Sequence, residues 1–221
     1  KRDMFVTVNI TEGPKYRVSD VKLAGDLVVG EDELSCSLGQ QLVAQLLPEW
    51  TLSRAPINKR GVTKLIPELP RFVEQSRLQP VLCIADTDQT CPVQWLKKWS
   101  PRHLPERFFL RLAVPEAESW VLADRQGVSE FFKVSTAQIK PDPEQLEDPK
   151  REVLRLARKS KVRQIRDEMV SATDINRTGS GYNIHLSALV RENWRAMRAA
   201  ERSSSLERAI RRLTEFGDSF R

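Results

Sequence analysis

The sequence predicts an α/β protein with a mostly parallel sheet flanked by helices, a C-terminal helical extension and an N-terminal β-hairpin. Residues 81–85 form a short apolar run that ends abruptly at Asp86, as a buried strand of an α/β sheet does. Strand-like and helix-like segments alternate between residues 27 and 123, which favours parallel strands joined by crossover helices. From about residue 138 the chain becomes helical and highly charged, which indicates a change of architecture.

The elements of the sheet region follow from hydrophobic period and from the positions of proline and glycine. Residues 27–29 are a short apolar strand, and residues 33–47 are a helix with leucines along one face that Pro48 stops. A second strand is predicted within residues 51–57. The later elements are a helix over 62–75 that Pro67 and Pro70 break or kink, the strand that starts at Val81, a helix over 93–99, a strand over 108–114 and a helix over 116–123.

The first 26 residues differ in pattern from the rest of the chain. Residues 5–10 and 16–23 alternate apolar and polar side chains, Gly13-Pro14 turns the chain between them, and Gly25-Asp26 ends the predicted hairpin. This segment resembles a junction between POTRA domains of outer-membrane assembly proteins. It is too short to be such a domain, so we predict an appended hairpin and carry no outer-membrane function over to it.

The chain therefore divides into three predicted regions: a hairpin over 1–26, an α/β domain over 27–137 and a helical region over 138–221. The sequence Lys-Pro-Asp-Pro at residues 140–143 is typical of a linker. Two helices near 184–199 and 206–216 follow a glycine-rich break in the last region, and Ser205 is the predicted cap of the final helix.

Composition favours a protein of a reduced, cytoplasmic compartment. The 221 residues include 36 Lys and Arg against 30 Asp and Glu, a formal net charge of +6 that permits a polyanionic partner. We find no stretch near the about 20 apolar residues of a membrane span, and no signal peptide is visible. The three cysteines have no metal-ligand spacing, which favours free thiols. The two histidines lack a recognisable nucleophile partner, which argues against Ser-His-Asp hydrolysis.

Two aspartates at the end of the Val81 strand are the first candidates for chemistry. Ligands of open α/β sheets bind outside the carboxyl ends of the strands, and Asp86 and Asp88, two residues apart, can point into one crevice there. Oxygen-only ligands of this kind suit Mg²⁺ or Mn²⁺. The alternative is an ordinary strand-to-loop turn in which Asp86 caps the next helix and Asp88 is solvated.

An acidic residue beside a glycine after the first strand, with Asp86-x-Asp88 after a later one, resembles the Toprim fold of topoisomerases, primases and OLD-type nucleases. Residues 27–216 more closely resemble a Toprim-like family of RloB-like and AbiL-like proteins. The segments that carry this resemblance are Gly30-Glu31-Asp32-Glu33, Asp86-x-Asp88, residues 116–124 and residues 205–213. The resemblance implies that Glu31, Asp86 and Asp88 gather around Mg²⁺ and act on the phosphodiesters of DNA or RNA. It also implies a setting in phage defence, beside an ABC-type or AAA-type ATPase subunit.

Gly30 precedes Glu31, whereas the Toprim pattern places the glutamate before the glycine. Either Glu31 supplies the carboxylate from a shifted position or the catalytic glutamate is lost. Glu33 is a reserve ligand or an ordinary first-turn residue favoured by the helix dipole. Glu118, which follows the fourth strand, either completes the acidic set or is a salt-bridged helix residue. Asp124 is predicted at a helix end or turn.

Basic residues concentrate in two places. The larger group recurs every four residues and consists of Arg151, Arg155, Lys159 and Arg163. The smaller group follows the second strand and consists of Lys59, Arg60 and Lys64. The larger group predicts a stripe on one helix face, which either tracks nucleic-acid phosphates or is simply solvated. The smaller group either binds a phosphate near Gly61 or is a solvated loop.

The acidic and basic sets together predict a Mg²⁺-dependent Toprim-like nuclease with DNA or RNA as its partner and no membrane association. In this hypothesis Asp86 and Asp88 hold the metal, and Glu31 or Glu118 helps to orient the attacking water. The alternative hypothesis is a catalytically inactive Toprim-like binding subunit of a defence ATPase. The reversed Gly30-Glu31 order favours the alternative, and the aspartate pair favours the nuclease.

Overall fold

The computed structural model describes residues 24–100 and 104–219. These residues form five strands: β1 (Ala24–Gly30), β2 (Thr51–Leu52), β3 (Ile57–Asn58), β4 (Val81–Asp86) and β5 (Phe108–Ala113). They also form α-helices: α1 (Glu33–Leu46), α2 (Val62–Leu65), α3 (Leu69–Gln75), α4 (Pro92–Trp99), α5 (Ala117–Ala123), α6 (Arg125–Phe132), α7 (Pro149–Lys159), α8 (Arg163–Met169), α9 (Tyr182–Glu192), α10 (Ala196–Ala200) and α11 (Ser204–Asp218).

Every strand pairing in the described sheet is parallel. The order across the sheet is β2-β1-β4-β5, and β3 pairs with the same edge of β1 as β2 does, further along the strand. In the β1–β4 pair Val29 lies opposite Cys83, and in the β4–β5 pair Ile84 lies opposite Arg111. The predicted α/β class, with a parallel sheet flanked by helices, is therefore confirmed.

Helices cover the sheet on two faces, because successive strand residues point to opposite sides. On one face, Val28, Leu82 and Phe109 pack with α1 and with α5, α7, α9 and α11 in the larger core. On the other face, Val29 and Cys83 join a smaller core with α3 and α4. Close packing of α1 on the sheet depends on Gly39, since a Cβ there would lie 2.5 Å from Val28 Cγ1.

The C-terminal helices share the larger core with the sheet. Trp120 of α5 is fully buried, its indole N–H donates to Ser205 Oγ at 2.8 Å, and its carbonyl accepts from the indole of Trp194 at 2.8 Å. The ring of Phe216 on α11 lies 4.8 Å from that of Phe109 on β5. The helical region is thus packed directly on the sheet that carries the predicted acidic residues.

Several predicted boundaries are wrong. The predicted hairpin lies outside the described residues except at its end, where Gly25-Asp26 is part of β1 and does not turn the chain, because Asp26 pairs with Leu52. The single strand predicted within residues 51–57 is two short strands, β2 and β3, that pair with different parts of β1. Ser203 and not Ser205 caps α11, since Ser203 Oγ accepts the Leu206 N–H.

The helix predicted over residues 184–199 is two helices, α9 and α10. The chain leaves helical geometry at Arg195, whose backbone is extended and whose N–H donates to Asp124 Oδ2 at 2.8 Å. The predicted helix over residues 33–47 is confirmed as α1, and the helix predicted over 62–75 is broken near its prolines, with Pro67 in a 3₁₀ turn between α2 and α3 and Pro70 in the first turn of α3. None of the described helices is both long enough and apolar enough to cross a bilayer.

Candidate functional site

The predicted acidic residues come together where the order of the strands reverses. The chain runs from β1 through α1 to β2 and β3 on one side, whereas β4 lies on the other side of β1. Such a reversal opens a crevice at the carboxyl ends of the two strands, which is the usual ligand site of an open α/β sheet. Glu31 follows β1, and Asp86 is the last residue of β4. We call this region the switch-point site.

Glu31 reaches the site from its position after Gly30. Its backbone N–H donates to Ile84 O at 3.2 Å, which continues the sheet by one residue, and its Oε2 accepts the Asp86 N–H at 3.2 Å. Gly30 allows the end of β1 to lie close to the first turn of α1, because a Cβ at this position would be 2.5 Å from the backbone nitrogen of Cys36. The structure therefore places Glu31 beside Asp86, as the shifted-position alternative requires.

Asp86 is buried, with 6% of its surface exposed. Its Oδ1 accepts the backbone N–H of Ala117, the first residue of α5, at 2.9 Å. The expected capping role is thus present, although the capped helix is α5 and not the helix that follows Asp86 in sequence. The same contact holds the start of α5 against the end of β4.

Asp88 lies in a tight turn and is exposed. Asp88 and Gln89 have φ angles of 46° and 63°, in the left-handed region that side chains with a Cβ seldom occupy. The turn is held in place by Pro115 O, which accepts the backbone N–H groups of Thr87 and Asp88 at 3.1 Å each. Gln89 Nε2 also donates to Glu147 O at 2.6 Å, which ties the turn to the chain just before α7.

Glu118 points into the same site from α5 and has two partners. Its Oε1 accepts the hydroxyl of Tyr182 at 3.0 Å and lies 3.5 Å from Lys150 Nζ. Lys150 is in the first turn of α7, whose N-cap Asp148 accepts the Arg151 N–H at 2.7 Å. Both predicted readings of Glu118 therefore hold together: it belongs to the acidic set and it is salt-bridged.

Burial and mutual repulsion raise the pKa values of these carboxyl groups. Burial, with the charges of Asp32 and Asp88, raises the pKa of Glu31 to about 7, although its hydrogen bond from Asp86 opposes the rise. Burial and then the charge of Glu31 raise the pKa of Asp86 well above its usual value. Burial also raises the pKa of Glu118. Clustered and perturbed carboxyl groups of this kind are a feature of functional sites.

Lys150 and Glu116 are members of the site that the sequence analysis did not select. The charge of Glu118 raises the pKa of Lys150, so its ammonium is held in the charged form. Burial raises the pKa of Glu116, and its Oε2 is buried without a hydrogen-bond partner in residues 24–100 and 104–219. Glu116 comes three residues after the end of β5 and was detectable by the strand-end rule, whereas nothing local in sequence marks Lys150 among its basic neighbours.

The smaller basic group lies at the same edge of the sheet. The backbone N–H of Lys59 donates to Gly30 O at 3.0 Å, and that of Gly61 donates to Glu31 O at 2.7 Å. The side chain of Lys59 is paired with Glu68, so its charge is partly neutralised. Arg60 and Lys64 are exposed. The structure therefore places these two cations at the rim of the switch-point site.

The larger basic group does not form one continuous stripe, so that part of the prediction is wrong. The helix that carries Arg151, Arg155 and Lys159 ends at Lys159, and Arg163 begins a separate helix. The chain turns between them because Ser160 is extended and its Oγ accepts the Val162 N–H. Arg155 is engaged with buried Glu152 at 2.6 Å, whereas Arg151 and Lys159 are exposed. Glu33, the reserve ligand, is exposed in the first turn of α1 and fits the first-turn reading.

As the side chains lie, the described residues include no group of three or more His, Cys, Asp or Glu side chains that could hold a metal ion. Comparisons with protein-family models, with curated proteins and with solved structures find no match to this chain. The functional conclusion therefore depends on the geometry and chemistry of the switch-point site.

Proposed function

We propose that the switch-point site is the active site of a Mg²⁺-dependent nuclease that hydrolyses nucleic-acid phosphodiesters. The observation that carries this proposal is the burial of Glu31 and Asp86 side by side, with raised pKa values, at the point where the strand order reverses. Such an arrangement costs folding free energy, because burial and like charges both disfavour the ionised forms. A bound cation would remove that cost, so cation binding explains why the carboxyl groups are buried together.

The donor set fits Mg²⁺ or Mn²⁺. The available side-chain ligands are carboxylate oxygens, which these hard cations prefer. Glu116 Oε2, buried without a hydrogen-bond partner among the described residues, is an orphaned anionic oxygen of the kind that a nearby cation satisfies. Glu31, Asp86 and Asp88 would hold the ion. When bound, the ion would polarise the phosphate and lower the pKa of an attacking water.

The other residues of the site have separate roles in this proposal. Lys150 keeps a positive charge next to the carboxylates and would contact a phosphate oxygen, and Glu118 holds its ammonium in position at 3.5 Å. Tyr182 fixes Glu118 through the 3.0 Å hydrogen bond from its hydroxyl. Arg60 and Lys64 at the rim, with Arg151 beyond Lys150 on α7, would hold the flanking phosphates.

A Toprim-like architecture and a place in phage defence are part of the same proposal. The parallel sheet, with acidic residues after its first strand and at the end of β4, supports the Toprim-like reading. The resemblance of residues 27–216 to RloB-like and AbiL-like proteins supports the defence setting. DNA and RNA both remain candidate substrates, since phosphodiester chemistry is common to them.

A second proposal is a non-catalytic binding subunit of a defence ATPase. It is favoured by the lack of a ready-made group of three metal-binding side chains in the described residues. In addition, Glu31 Oε2 and Asp86 Oδ1 each already accept a backbone N–H. In this case the carboxylates would fix the ends of the strands, and the basic residues alone would contact the partner.

Cleavage of end-labelled DNA and RNA, single-stranded and duplex, in Mg²⁺, Mn²⁺ or EDTA separates the two proposals. We expect cleavage that needs the metal and falls more than about 100-fold in Asp88→Asn, because even outer partners of metal ligands are worth about 10–100-fold. Asp167→Asn is the matched control, since Asp167 is an exposed aspartate on α8 paired only with Arg163 at 3.2 Å. Metal-independent binding without cleavage of any substrate would refute the nuclease and leave the binding subunit.

A further inference from the structure

A groove with apolar walls adjoins the switch-point site on the side of α4. It has a volume of about 380 Å³ and lies between α4, the α2 segment and the turn that carries Asp88. Its apolar walls are Val62, Ile66, Pro67, Trp95 and Trp99. Its polar end is formed by Thr87, Asp88 and Thr90. We call it the Trp99 groove.

The walls of the Trp99 groove combine a fixed part with an exposed aromatic side chain. Trp95 is buried in the smaller core with Leu65 and Phe72, so α4 is anchored against α2 and α3. Trp99, one helical turn further, keeps 37% of its surface exposed, and Lys98 Nζ lies 4.4 Å from its ring centroid. The Trp99 ring can stack on a flat ligand, and the ammonium of Lys98 beside it attracts the negative charge of a phosphate attached to that ligand.

The polar end joins the groove to the candidate metal ligands. Asp88 lines the groove, and its charge also contributes to the raised pKa values of Glu31 and Asp86, after the larger effect of burial. The turn is held by the backbone contacts of Thr87 and Asp88 with Pro115 and by the Thr90 N–H, which donates to Thr87 O at 2.8 Å. A ligand in the groove therefore ends within reach of the switch-point site.

These features together fit an unpaired nucleobase better than another small ligand. The volume is near the lower end of the range of about 300–1,000 Å³ for ligand sites, which suits one flat ring system. Thr90 at the polar end is exposed, and its hydroxyl can bond to the edge of a base. Lys98, which lines the groove, supplies positive charge for the attached phosphate. A base within a duplex is stacked and paired, so it cannot enter such a groove without being flipped out.

We propose that the Trp99 groove binds an unpaired base of a single-stranded nucleic acid, directly beside the phosphate that the switch-point site acts on. This inference depends on the proposed nuclease function and narrows its substrate to single strands or single-stranded ends. Aromatic side chains bind unpaired bases of any sequence by stacking, so the groove positions the strand and does not read its sequence.

The test measures binding separately from cleavage. Fluorescence anisotropy in EDTA, and again in Ca²⁺, compares a labelled oligothymidylate with an oligomer of the same sugar-phosphate backbone that lacks bases. We expect the wild-type protein to bind the oligothymidylate more tightly. Trp99→Ala should weaken that binding about 5- to 150-fold, which is the usual effect of losing one stacking contact, and leave binding of the base-free oligomer unchanged. Trp99→Phe should retain most of the affinity.

Leu96→Ala is the matched control, because Leu96 lies on the same helix with 39% exposure and does not line the groove. Equal wild-type affinity for the two oligomers, no binding of either, or equal losses in Trp99→Ala and Leu96→Ala would overturn the inference. Self-association through α4 that both variants abolish would do the same and identify a protein contact. Base-dependent binding without Mg²⁺-dependent cleavage would refute the nuclease function and support base binding in the Trp99 groove. If wild type and Trp99→Ala cleave single strands and duplexes equally well, base binding in the groove would be refuted and the nuclease function would stand.

Discussion

Two buried aspartates, Asp86 of the proposed active site and Asp124 of the helical region, differ in the charges and hydrogen-bond donors around them. Asp124, with 1% exposure, caps α6 through the Gly127 N–H and accepts two hydrogen bonds from the guanidinium of Arg198, at 2.9 and 2.7 Å. Asp86, with 6% exposure, accepts one backbone N–H from Ala117, and burial together with the carboxylates around it, Glu31 foremost, outweighs the more distant ammonium of Lys150 and raises its pKa. The two residues have similar burial and opposite electrostatic surroundings.

Burial of a carboxyl group is therefore not by itself a sign of function. A buried carboxylate with an arginine and backbone donors is satisfied, and it stabilises the fold by holding α6 and α10 together. A buried carboxylate among other carboxylates is a cost that the fold tolerates for another purpose. Replacing each aspartate should therefore change stability in opposite directions.

The largest expected effect is on Asp124. Asp124→Ala should lower the free energy of unfolding by about 3–5 kcal/mol, because it leaves the partly buried guanidinium of Arg198 without its carboxylate and the N–H groups of Gly127 and Arg195 without their acceptor. Urea denaturation followed by circular dichroism measures this loss. The matched control is Asp167→Ala, which removes an exposed pair and should cost about 0–1 kcal/mol. Equal losses in both variants would mean that Asp124 is no more structural than a surface residue.

The next prediction concerns Asp86 and the metal. Asp86→Asn keeps an oxygen for the Ala117 N–H and removes a buried charge, so in EDTA it should be as stable as the wild type or more stable. Mg²⁺ at about 100 times its Kd should stabilise the wild type by about 2.7 kcal/mol and leave Asp86→Asn unchanged. Thermal denaturation in EDTA and in Mg²⁺ gives both values. Loss of stability in EDTA, with equal Mg²⁺ stabilisation of both proteins, would make Asp86 a structural residue like Asp124.

A smaller effect is expected in the pH dependence of stability. Glu31 has a pKa of about 7 in the folded protein against 4.5 ordinarily, so the folded state binds more protons than the unfolded state between these values. Stability should then be greatest below about pH 4.5, as far as Glu31 is concerned, and fall as the pH rises towards and through 7. Glu31→Gln should flatten this slope in metal-free buffer, measured by urea denaturation at several pH values. The raised pKa of Asp86 acts in the same direction, so part of the slope should persist.

Glu144 is the control of opposite sign. Hydrogen bonds from Ser203, Ser204 and Ser205 lower its pKa although burial opposes them, so its stabilising effect is lost as the pH falls through the folded-state pKa. Glu144→Gln should therefore flatten the acid limb of the curve and leave the neutral limb intact. A Glu31→Gln profile that matches the Glu144→Gln profile would contradict the assignment of the neutral slope to the switch-point site.

Much of the fold was predictable because the signals that define it are local. An apolar run that ends in acidic residues marks β4, and leucines on one face with a following proline mark α1. The strand-end rule was enough to select Asp86 and Asp88, whereas Glu31 was selected because its position after the first strand resembles the Toprim pattern. The break after Lys159 was not predictable, because it depends on Ser160 and on the Lys161 N–H, which donates to Phe132 O of α6.

The missed members of the site depend on long-range packing. Lys150 comes 32 positions after Glu118, and Tyr182 comes 64 positions after it, yet both contact its carboxylate. No spacing rule connects such residues, since the packing of α7 and α9 on α5 brings them together. The packing of α10 on α5 likewise accounts for Asp124, because it brings Arg198, 74 positions further on, to the Asp124 carboxylate.

The smallest expected change in stability concerns the exposed cations of α7. Arg151 and Lys159 each lie on the surface, so replacing either with glutamine should alter the free energy of unfolding by no more than about 0.5 kcal/mol. Arg155→Gln should cost more stability, because it removes the partner of buried Glu152.

The effect of these substitutions on nucleic-acid binding should have the opposite order. If a single strand follows α7 away from Lys150, each exposed cation that contacts a phosphate contributes about 0.7 to the steepness with which log affinity falls against log salt concentration. Anisotropy titrations of a labelled oligonucleotide over a range of salt concentrations should therefore show a shallower slope for Arg151→Gln and Lys159→Gln. The slope should be unchanged for Arg163→Gln, because Arg163 lies on α8 and is paired with Asp167. A shallower slope for Arg163→Gln alone would mean that the strand passes along α8, and unchanged slopes in all three variants would assign the basic surface of α7 to solvent.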